Sequence, residues 1–282
     1  MQITFDASRA PYGITDIAAP SVLIDWESCN TPKDIIRQNC KRFPKRFIPV
    51  DDNVIDAQPV AIVGYGSSLC DTWEELRDYK TIFTCSGAHQ FLLKRQLIPT
   101  YHGESDPQPH KVHLLGLLNQ QTTYLPASIC HPLYMDYLQK AGVNVLLWHP
   151  FLVDMDMYRQ VPKGDYLITS ASVVGPRLMR LARLMGYTNL HIYGMDGSGG
   201  HAEPHPNKAL YDESREVRYN DKTFVINPHL IVHVGTLLDE MNQFPENTKF
   251  TFHGDGLVQE MAKGWVRKEP KIYRPLAMVK DE

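Results

Sequence analysis

The chain has 282 residues, 43% of them hydrophobic and 22% charged, which is the composition of a globular protein with a buried core. A formal net charge of -3 excludes the strongly basic footprint of a dedicated nucleic-acid-binding protein. The apolar runs fall short of the roughly 18 residues that span a membrane. The first residues also lack the basic and apolar segments of a secretory signal.

Residues 1–57 are irregular in pattern and are predicted to form an N-terminal extension. One helix is predicted within it over residues 31–43, with Thr31 as N-cap and Pro32 at the first helical position. The extension would cover a sheet edge or mediate self-association, so a homo-oligomer is an expectation. Residues 266–282 are predicted to form a C-terminal tail.

Strands and helices alternate between residues 58 and 265. This alternation predicts a Rossmann-like α/β fold, with a mostly parallel sheet and helices on both faces. In the helix predicted over residues 173–187 the apolar residues share one side, and Arg177, Arg180 and Arg183 are displaced from it.

The cysteines are odd in number and have no C-x-x-C spacing: Cys29, Cys40, Cys70, Cys85 and Cys130. This pattern argues against a disulfide framework and against a cysteine-based zinc site. It favours a reducing compartment, and we expect a cytoplasmic protein whose thiols fill the core.

Small, hydroxyl-bearing or acidic residues follow six predicted strands, at the places where α/β sheets bind ligands. The segments are GYGSS (64–68), TCSG (84–87), HGESD (102–106), TSAS (169–172), GMDGS (194–198) and HGDG (253–256). A purely structural domain has no need for so consistent a pattern. The sequence therefore predicts an enzyme, with a non-catalytic nucleotide-binding module as the alternative.

The first of these loops has the composition of a phosphate site. Gly64 and Gly66 allow the backbone to approach a ligand closely, and the following helix would offer unpaired N–H groups to an anion. Ser67 and Ser68 would add hydroxyl donors. No lysine follows, and the third glycine of the dinucleotide fingerprint is missing, which disfavours a P-loop ATPase and a standard dehydrogenase. An ordinary tight turn is the alternative.

Three carboxylates in these loops suit a ligand: Glu104, Asp106 and Asp196. They would bind Mg²⁺, which prefers hard oxygen ligands, and the alternatives are that they cap helices or bind a ribose hydroxyl. His201, Glu203 and His205 lie in a proline-containing loop, which disfavours zinc and favours a loop that covers the substrate. His229 is a candidate general base or phosphate partner.

Two long segments carry a resemblance to a known family. The segment VAIVGYGSSLCDTWEELRDYKTIFTCSGAHQFLLKRQLIPTYHGESDP is similar to the core of the MptE-like proteins, which have a G-x-G-P-S-L loop. LITSASVVGPRLMRLARLMGYTNLHIYGMDGSGGHAEPH also resembles that family and its relatives, the motility-accessory-factor glycosyltransferases and the bacterial CMP-sialic-acid sialyltransferases. Ser67 replaces the usual proline, and Thr100-Tyr101 replaces a Pro-Asp pair. The resemblance covers roughly residues 58 to 260.

The resemblance implies a nucleotide-binding transferase of Rossmann-like fold. By carry-over, and with the neighbouring loop residues added, the nucleotide would be held by Gly64, Tyr65, Gly66, Ser67, Ser68, Ser86, Gly87, Ser170, Ser172 and Gly194. Asp106 and Asp196 would bind metal or ribose and contribute to catalysis. His229 stands nearest to the place where the sialyltransferases have their histidine base.

The family divides into two chemistries. One branch transfers a pyrophosphoryl group from ATP, with Mg²⁺, to a hydroxymethylpterin, and the other transfers a sugar from a nucleotide-activated donor. The extension and the charged 197–225 loop favour a larger acceptor and therefore glycosyl transfer from a CMP-, UDP- or GDP-linked sugar. The acceptor would be a glycan, a protein or a modified base, and nucleic acid enters only in that role.

Overall fold

The structure is a computed structural model that describes residues 29–51, 54–151, 159–168, 173–203, 214–226, 234–235, 237–238, 240–268 and 276–278. Ser170, Ser172, His205 and His229 lie outside these residues, so their predicted places are not described. Within the described ranges, no helix combines the length and the apolar character that crossing a membrane requires.

The core of the fold is a parallel sheet. The described strands are β1 (Asp56–Val63), β2 (Ile82–Cys85), β3 (Tyr101–Glu104), β4 (Thr123–Pro126), β5 (Asn144–Val145), β6 (His149–Pro150), β7 (Tyr166–Ile168), β8 (Tyr187–Tyr193), β9 (Arg215–Tyr219), β10 (Lys222–Ile226), β11 (Lys249–Phe252) and β12 (Leu276–Met278). Seven of them pair in parallel in the order β11-β8-β1-β2-β3-β4-β5. The others form a β9–β10 hairpin and a small sheet of β12, β7 and β6.

Helices cover both faces of the parallel sheet, as an α/β Rossmann-like fold requires. They are α1 (Ile35–Arg42), α2 (Leu69–Thr72), α3 (Ala88–Leu93), α4 (Lys111–Leu115), α5 (Pro132–Ala141), α6 (Val174–Leu184) and α7 (Leu257–Lys263). A 3₁₀ helix, Trp73–Asp78, continues α2, and described residues between 234 and 241 are helical. The predicted fold class is confirmed.

Strand β1 explains how two cores form on one sheet. Its residues alternate sides, so Val60 and Ile62 join the larger core with α6, whereas Ala61 and Val63 join the smaller core with α2 and α3. The chain runs outward from β1 to β5 and then returns to β8 on the other side of β1. In such sheets the reversal opens a crevice at the carboxyl ends of the two strands, here β1 and β8.

The described part of the extension is built into the larger core. Ile35 and Ile36 on α1 are buried, and Asn39 Nδ2 donates to the carbonyls of Ser128 and Cys130, at 3.0 Å each. The helix begins at Ile35, after Asp34, rather than near Thr31. The predicted domain boundary at residue 57 stays a prediction.

Helix α6 differs from the predicted one-sided helix. Arg177, Arg180 and Arg183 are all buried, because further segments cover the side on which they lie. Arg180 forms a buried ion pair with Glu240, at 2.7 Å, and its guanidinium lies over the ring of Phe244. A helix that is covered all round needs such partners for its charges.

Two further expectations need correction. The strand predicted before residues 169–172 is β7, which belongs to the small sheet and not to the parallel one. The segment 197–225, which was predicted to be a loop, contains strand β9 and most of strand β10. All five thiols are free, as expected, but Cys70 is exposed whereas the other four are buried.

A polar network lies inside the sheet layer. The Tyr124 hydroxyl accepts from the N–H of Asn119 and contacts His89 Nε2 at 3.1 Å, while His89 Nδ1 faces the carbonyl of Leu115. His102 Nδ1 lies 3.1 Å from the Thr84 hydroxyl. Burial lowers the pKa of His89 to about 4 and lowers the pKa of His102 as well. Both imidazoles are therefore neutral in the folded protein.

We expect this network to make the fold sensitive to acid. Unfolded histidine binds a proton below about pH 6.5, whereas folded His89 resists until about pH 4. The free energy of unfolding should therefore fall by about 3 kcal/mol as the pH drops from 6.5 to about 4, because of His89 alone. Urea unfolding at pH 7 and pH 4.5 measures the loss. His89→Gln should flatten the pH dependence, and the exposed His113→Gln should leave it as in the wild type.

Candidate functional site

The loops after β1 and β8 touch each other at the carboxyl edge of the sheet. The N–H of Gly66 donates to the carbonyl of Gly194 at 2.7 Å, and the N–H of Gly64 donates to the carbonyl of Tyr193 at 2.8 Å. A Cβ on Gly64 would collide with the Gly194 carbonyl, and a Cβ on Gly66 with the Asp196 carboxylate. The two glycines are therefore needed for contact between the loops.

The carboxylate of Asp196 joins three segments. It accepts hydrogen bonds from the backbone N–H of Ser68, at 2.9 Å, and from the Ser68 hydroxyl. Gln259 Nε2 on α7 donates to it at 2.8 Å and donates also to the carbonyl of His253. Asp196 is buried, and these donors compensate for the loss of water around its charge. We call this arrangement the Asp196 clamp.

The clamp changes the interpretation of the glycine loop. The helix after this loop was expected to offer unpaired N–H groups to a phosphate. In the structure the N–H groups of Gly66, Ser67 and Ser68, which precede that helix, donate to Gly194, Gly200 and Asp196. In this conformation the expected cradle of unpaired donors is not present at these three residues. The nucleotide-binding role of the loop stays a prediction.

Residues 199–203, which we call the strap, cross over the glycine loop. The N–H of Ser67 donates to the carbonyl of Gly200, and the N–H of Ala202 donates to the carbonyl of Tyr65. The ring of His201 stacks on that of Tyr65, with centroids 5.4 Å apart, and His201 Nδ1 lies 3.3 Å from the Tyr65 carbonyl. Burial lowers the pKa of His201.

The loop after β3 places acidic and basic groups together. Glu104 Oε1 accepts from the N–H groups of Ser105 and Asp106, and burial raises the pKa of the Glu104 carboxyl although Lys111 opposes the shift. Lys111 pairs with Asp106 at 3.1 Å, and its side chain is only 14% exposed. The Lys111 ammonium also helps to lower the pKa of His201, which indicates that the strap lies near it.

Helix α6 begins at the same edge. Its first turn packs Gly175 against Met195 after β8, and Leu178 packs against Gly103 of β3. Arg177, on that turn, is buried, and burial lowers its pKa to about 10 while the nearby charges of Asp106 and Glu104 oppose the shift. The positive end of an eleven-residue helix therefore lies with a buried guanidinium beside the loop after β3.

The predicted site residues fall into three groups. One group lies in the contact between the loops after β1 and β8: Gly64, Tyr65, Gly66, Ser67, Ser68, Gly194 and Asp196. Glu104 and Asp106 lie with Lys111 at the end of β3. Ser86 and Gly87 follow β2, where Ser86 has a φ of 53° and Gly87 contacts the Tyr65 ring. Ser170, Ser172 and His229 lie outside the described residues.

The carboxylates do not fit a shared Mg²⁺ site. Glu104 Oε1 accepts two backbone donors, Asp106 pairs with Lys111, and Asp196 accepts three hydrogen bonds. In the part of the chain that the structure describes, no three His, Cys, Asp or Glu side chains are grouped to hold a metal ion. The metal role of these carboxylates stays a prediction.

Four residues of this edge were not among the predicted site residues: Lys111, Arg177, His201 and Gln259. The loop HGESDPQPHK has a basic residue shortly after its carboxylates, which is a usable signal for Lys111. Arg177 was expected on a side of its helix away from the apolar residues, and the burial of that side could not be seen in the sequence. Gln259 has no local signal, because its partner is 63 residues away in the chain.

Replacing Asp196 should loosen the contact between the loops. Asp196→Asn preserves size but cannot accept from both Ser68 donors and from Gln259, so we expect a loss of about 1–3 kcal/mol in unfolding free energy. Urea unfolding measures it. Asp255→Asn alters an exposed carboxylate in the neighbouring loop and should change stability by less than about 0.5 kcal/mol. Equal stability of the two variants would contradict the clamp.

Comparison with known proteins agrees with this fold. The MAf glycosyltransferase from Magnetospirillum magneticum AMB-1 matches with a TM-score of 0.59 and 15% identity, over 82% of this chain and 40% of that one. The chain thus spans less than half the length of that protein. A mammalian sialyltransferase, solved with Gal-beta-1-3GalNAc-ortho-nitrophenol, matches at 13% identity over 89% of this chain and 92% of that one. Its TM-score of 0.42 is too low to establish a shared fold.

No curated protein matches the chain. A family model does, over residues 34–199, and its description is 6-hydroxymethylpterin diphosphokinase MptE-like. The match includes the glycine loop, the loop after β3 and Asp196. The chain belongs to the MptE-like family.

Proposed function

We propose that this protein is a nucleotide-dependent transferase that moves a sugar from a nucleotide-activated donor to an acceptor hydroxyl. The observation that carries the proposal is the pair of cations near Asp106 at the carboxyl edge: Lys111, whose side chain is 14% exposed, and the buried Arg177 on the first turn of α6. Cations that are shielded from water attract phosphate strongly, and a helix N-terminus adds to that attraction. The donor phosphates would bind there, and the nucleoside would lie toward the crevice between β1 and β8.

We assign the role of general base to His201, which lies in the strap and stacks on Tyr65 at this edge. With Nδ1–H donating to the Tyr65 carbonyl, Nε2 is the unprotonated nitrogen. Burial lowers the pKa of the ring, so it is neutral at pH 7 and accepts a proton. Predicted catalytic residue His229 lies outside the described residues, and Asp106 and Asp196 would act by holding Lys111 and the loops.

The transfer then follows from these groups. The acceptor hydroxyl loses its proton to His201 Nε2 as its oxygen forms a bond to the anomeric carbon. The bond from that carbon to the donor phosphate oxygen breaks, and the phosphate leaves with the electron pair. Lys111 and Arg177 stabilise the charge that develops on it. The MAf glycosyltransferase, which has this fold, supports sugar transfer as the chemistry.

The second candidate is a pyrophosphokinase that uses ATP. The description of the matching family model, a hydroxymethylpterin diphosphokinase, favours it. The same cations would hold the ATP phosphates, and a hydroxymethyl group would be the acceptor. Binding at the carboxyl edge is common to both candidates, so the identity of the donor decides between them.

A panel of donors tests the proposal. We expect CMP-, UDP- or GDP-linked sugars to raise Tm, since a ligand at 100 times its Kd adds about 2.7 kcal/mol to stability. ATP, with and without Mg²⁺, should have a smaller effect, and the preferred sugar nucleotide should be hydrolysed or transferred. A preference for ATP with Mg²⁺ would favour the pyrophosphokinase, and no shift with any nucleotide would contradict both candidates.

Two variants should separate binding from chemistry. Lys111→Met removes a cation that is largely shielded from water and should weaken donor binding by at least about tenfold, because a charge-assisted contact contributes about 1.5–3 kcal/mol. His201→Gln should keep donor affinity and lower kcat by about 100-fold or more. Calorimetric Kd and initial rates measure the two effects. Lys140→Met, on the exposed side of α5, is the control and should alter neither.

A further inference from the structure

The strap ends in a carboxylate that is tied to helix α3. Glu203 Oε2 pairs with Lys94 Nζ at 2.8 Å, and Glu203 Oε1 lies 3.7 Å from Arg95 Nη1. Both cations lie just after the last residue of α3, Leu93. The carboxylate is 29% exposed, so its interactions are only partly screened by water.

One of these two cations is itself held in place. Arg95 Nη1 donates to the carbonyl of Phe91 at 2.9 Å, and the guanidinium lies 3.4 Å from the centroid of the Phe91 ring. The same group lies over the ring of Trp73. The guanidinium of Arg95 therefore has a fixed position, and it helps to fix the position of the carboxylate that pairs with it.

The strap next to Glu203 is bonded to Tyr65 in the glycine loop, because the N–H of Ala202 donates to the Tyr65 carbonyl at 3.1 Å. Burial raises the pKa of Tyr65 to about 12, and the nearby charge of Glu203 adds to the rise. A Cβ on Gly87 would collide with the Tyr65 ring. The Tyr65 ring is confined between α3 and the strap.

Tyr65 in turn contacts His201 in two ways. Its ring stacks on the imidazole at 22° between the planes, and its carbonyl faces His201 Nδ1 at 3.3 Å. The same carbonyl accepts from the N–H of Ala202. Whatever fixes Tyr65 therefore fixes both the plane of the imidazole and its tautomer.

We propose that Glu203 is a positioning residue: by pairing with Lys94 and Arg95 its carboxylate holds the strap on α3, and the strap keeps the imidazole of His201 stacked on Tyr65 at the reaction edge. This inference rests on the proposed function, in which His201 is the base. It assigns no contact with substrate to Glu203. The alternative is that Glu203 contributes only a surface ion pair, which is worth about 0–1 kcal/mol of stability and nothing to the reaction.

A double-mutant cycle tests the linkage during turnover. Glu203→Gln and Lys94→Met each remove the short ion pair between the strap and α3 while leaving the stacked rings in place. Each should lower kcat by about tenfold with the donor KM unchanged, since a small displacement of a catalytic group is costly. The double variant should be no slower than the slower single one, because both remove one interaction. Multiplied effects, or an unchanged kcat, would overturn the proposal.

The control for the cycle is Glu260→Gln. Glu260 pairs with Lys222 and Lys263 on another surface, at 2.9 and 2.8 Å. It has the same charge and a similar pair of lysine or arginine partners, but it has no contact with Tyr65 among those described. We expect kcat of this variant to equal that of the wild type. A drop as large as that of Glu203→Gln would overturn the proposal.

A second measurement needs no turnover. The His201 imidazole can be titrated by NMR, with His201→Gln assigning its signal. In the wild type burial holds the pKa below 6.5, and in Glu203→Gln a displaced ring should become more exposed and its pKa should rise toward 6.5. Loss of the Glu203 charge alone would lower the pKa, so only displacement explains a rise. An unchanged or lowered pKa would overturn the proposal.

The two readouts keep the proposals separate. If the wild-type protein binds none of the nucleotides, the proposed function fails, and the titration still decides whether Glu203 positions the imidazole. If nucleotides bind and turnover is normal in both Glu203→Gln and Lys94→Met, the proposed function stands and the positioning role fails.

Discussion

The carboxyl edge of the sheet depends on one buried charge, that of Asp196. A carboxylate shielded from water must be paired with donors, and here the donors come from Ser68 after β1 and from Gln259 on α7. The charge therefore draws the segments after β8, β1 and β11 to one point. The glycines at 64 and 66 allow that convergence because any side chain would keep the loops apart.

The opposite half of the edge is organised by cations. Lys111 and Arg177 share the carboxylates of the loop after β3, and α6 begins beside them. The strap bridges the two halves, since it bonds to the glycine loop and lies near Lys111. The segment that carries His201 thus joins two parts of the edge. One is the hydrogen-bonded contact between the glycine loop and Asp196, and the other is the charged loop after β3.

Local patterns predicted the fold and indicated which loops follow the strands at the carboxyl edge, but they did not predict the contacts between those loops. The alternation of strands and helices gave the parallel sheet, and glycine and serine after strands marked the loops that meet. The partners of those loops could not be predicted, because Ser68 and Asp196 are 128 residues apart. The periodicity of α6 likewise cannot show that Arg180 is paired with Glu240 and lies over Phe244. Strand β7 was predicted to belong to the parallel sheet because its apolar pattern is compatible with that sheet and with the small one.

The distances along the chain between bonded partners have a consequence for how the protein folds. The hydrogen-bond acceptors of Asn39 lie 89 and 91 residues later in the chain, and the carboxylate that Ser68 donates to lies 128 residues later. Closing loops of that length costs entropy before any contact stabilises the chain, and such a topology folds slowly. During synthesis α1 emerges long before the residues that hold it. Helix α1 should therefore be among the last elements to reach its final position.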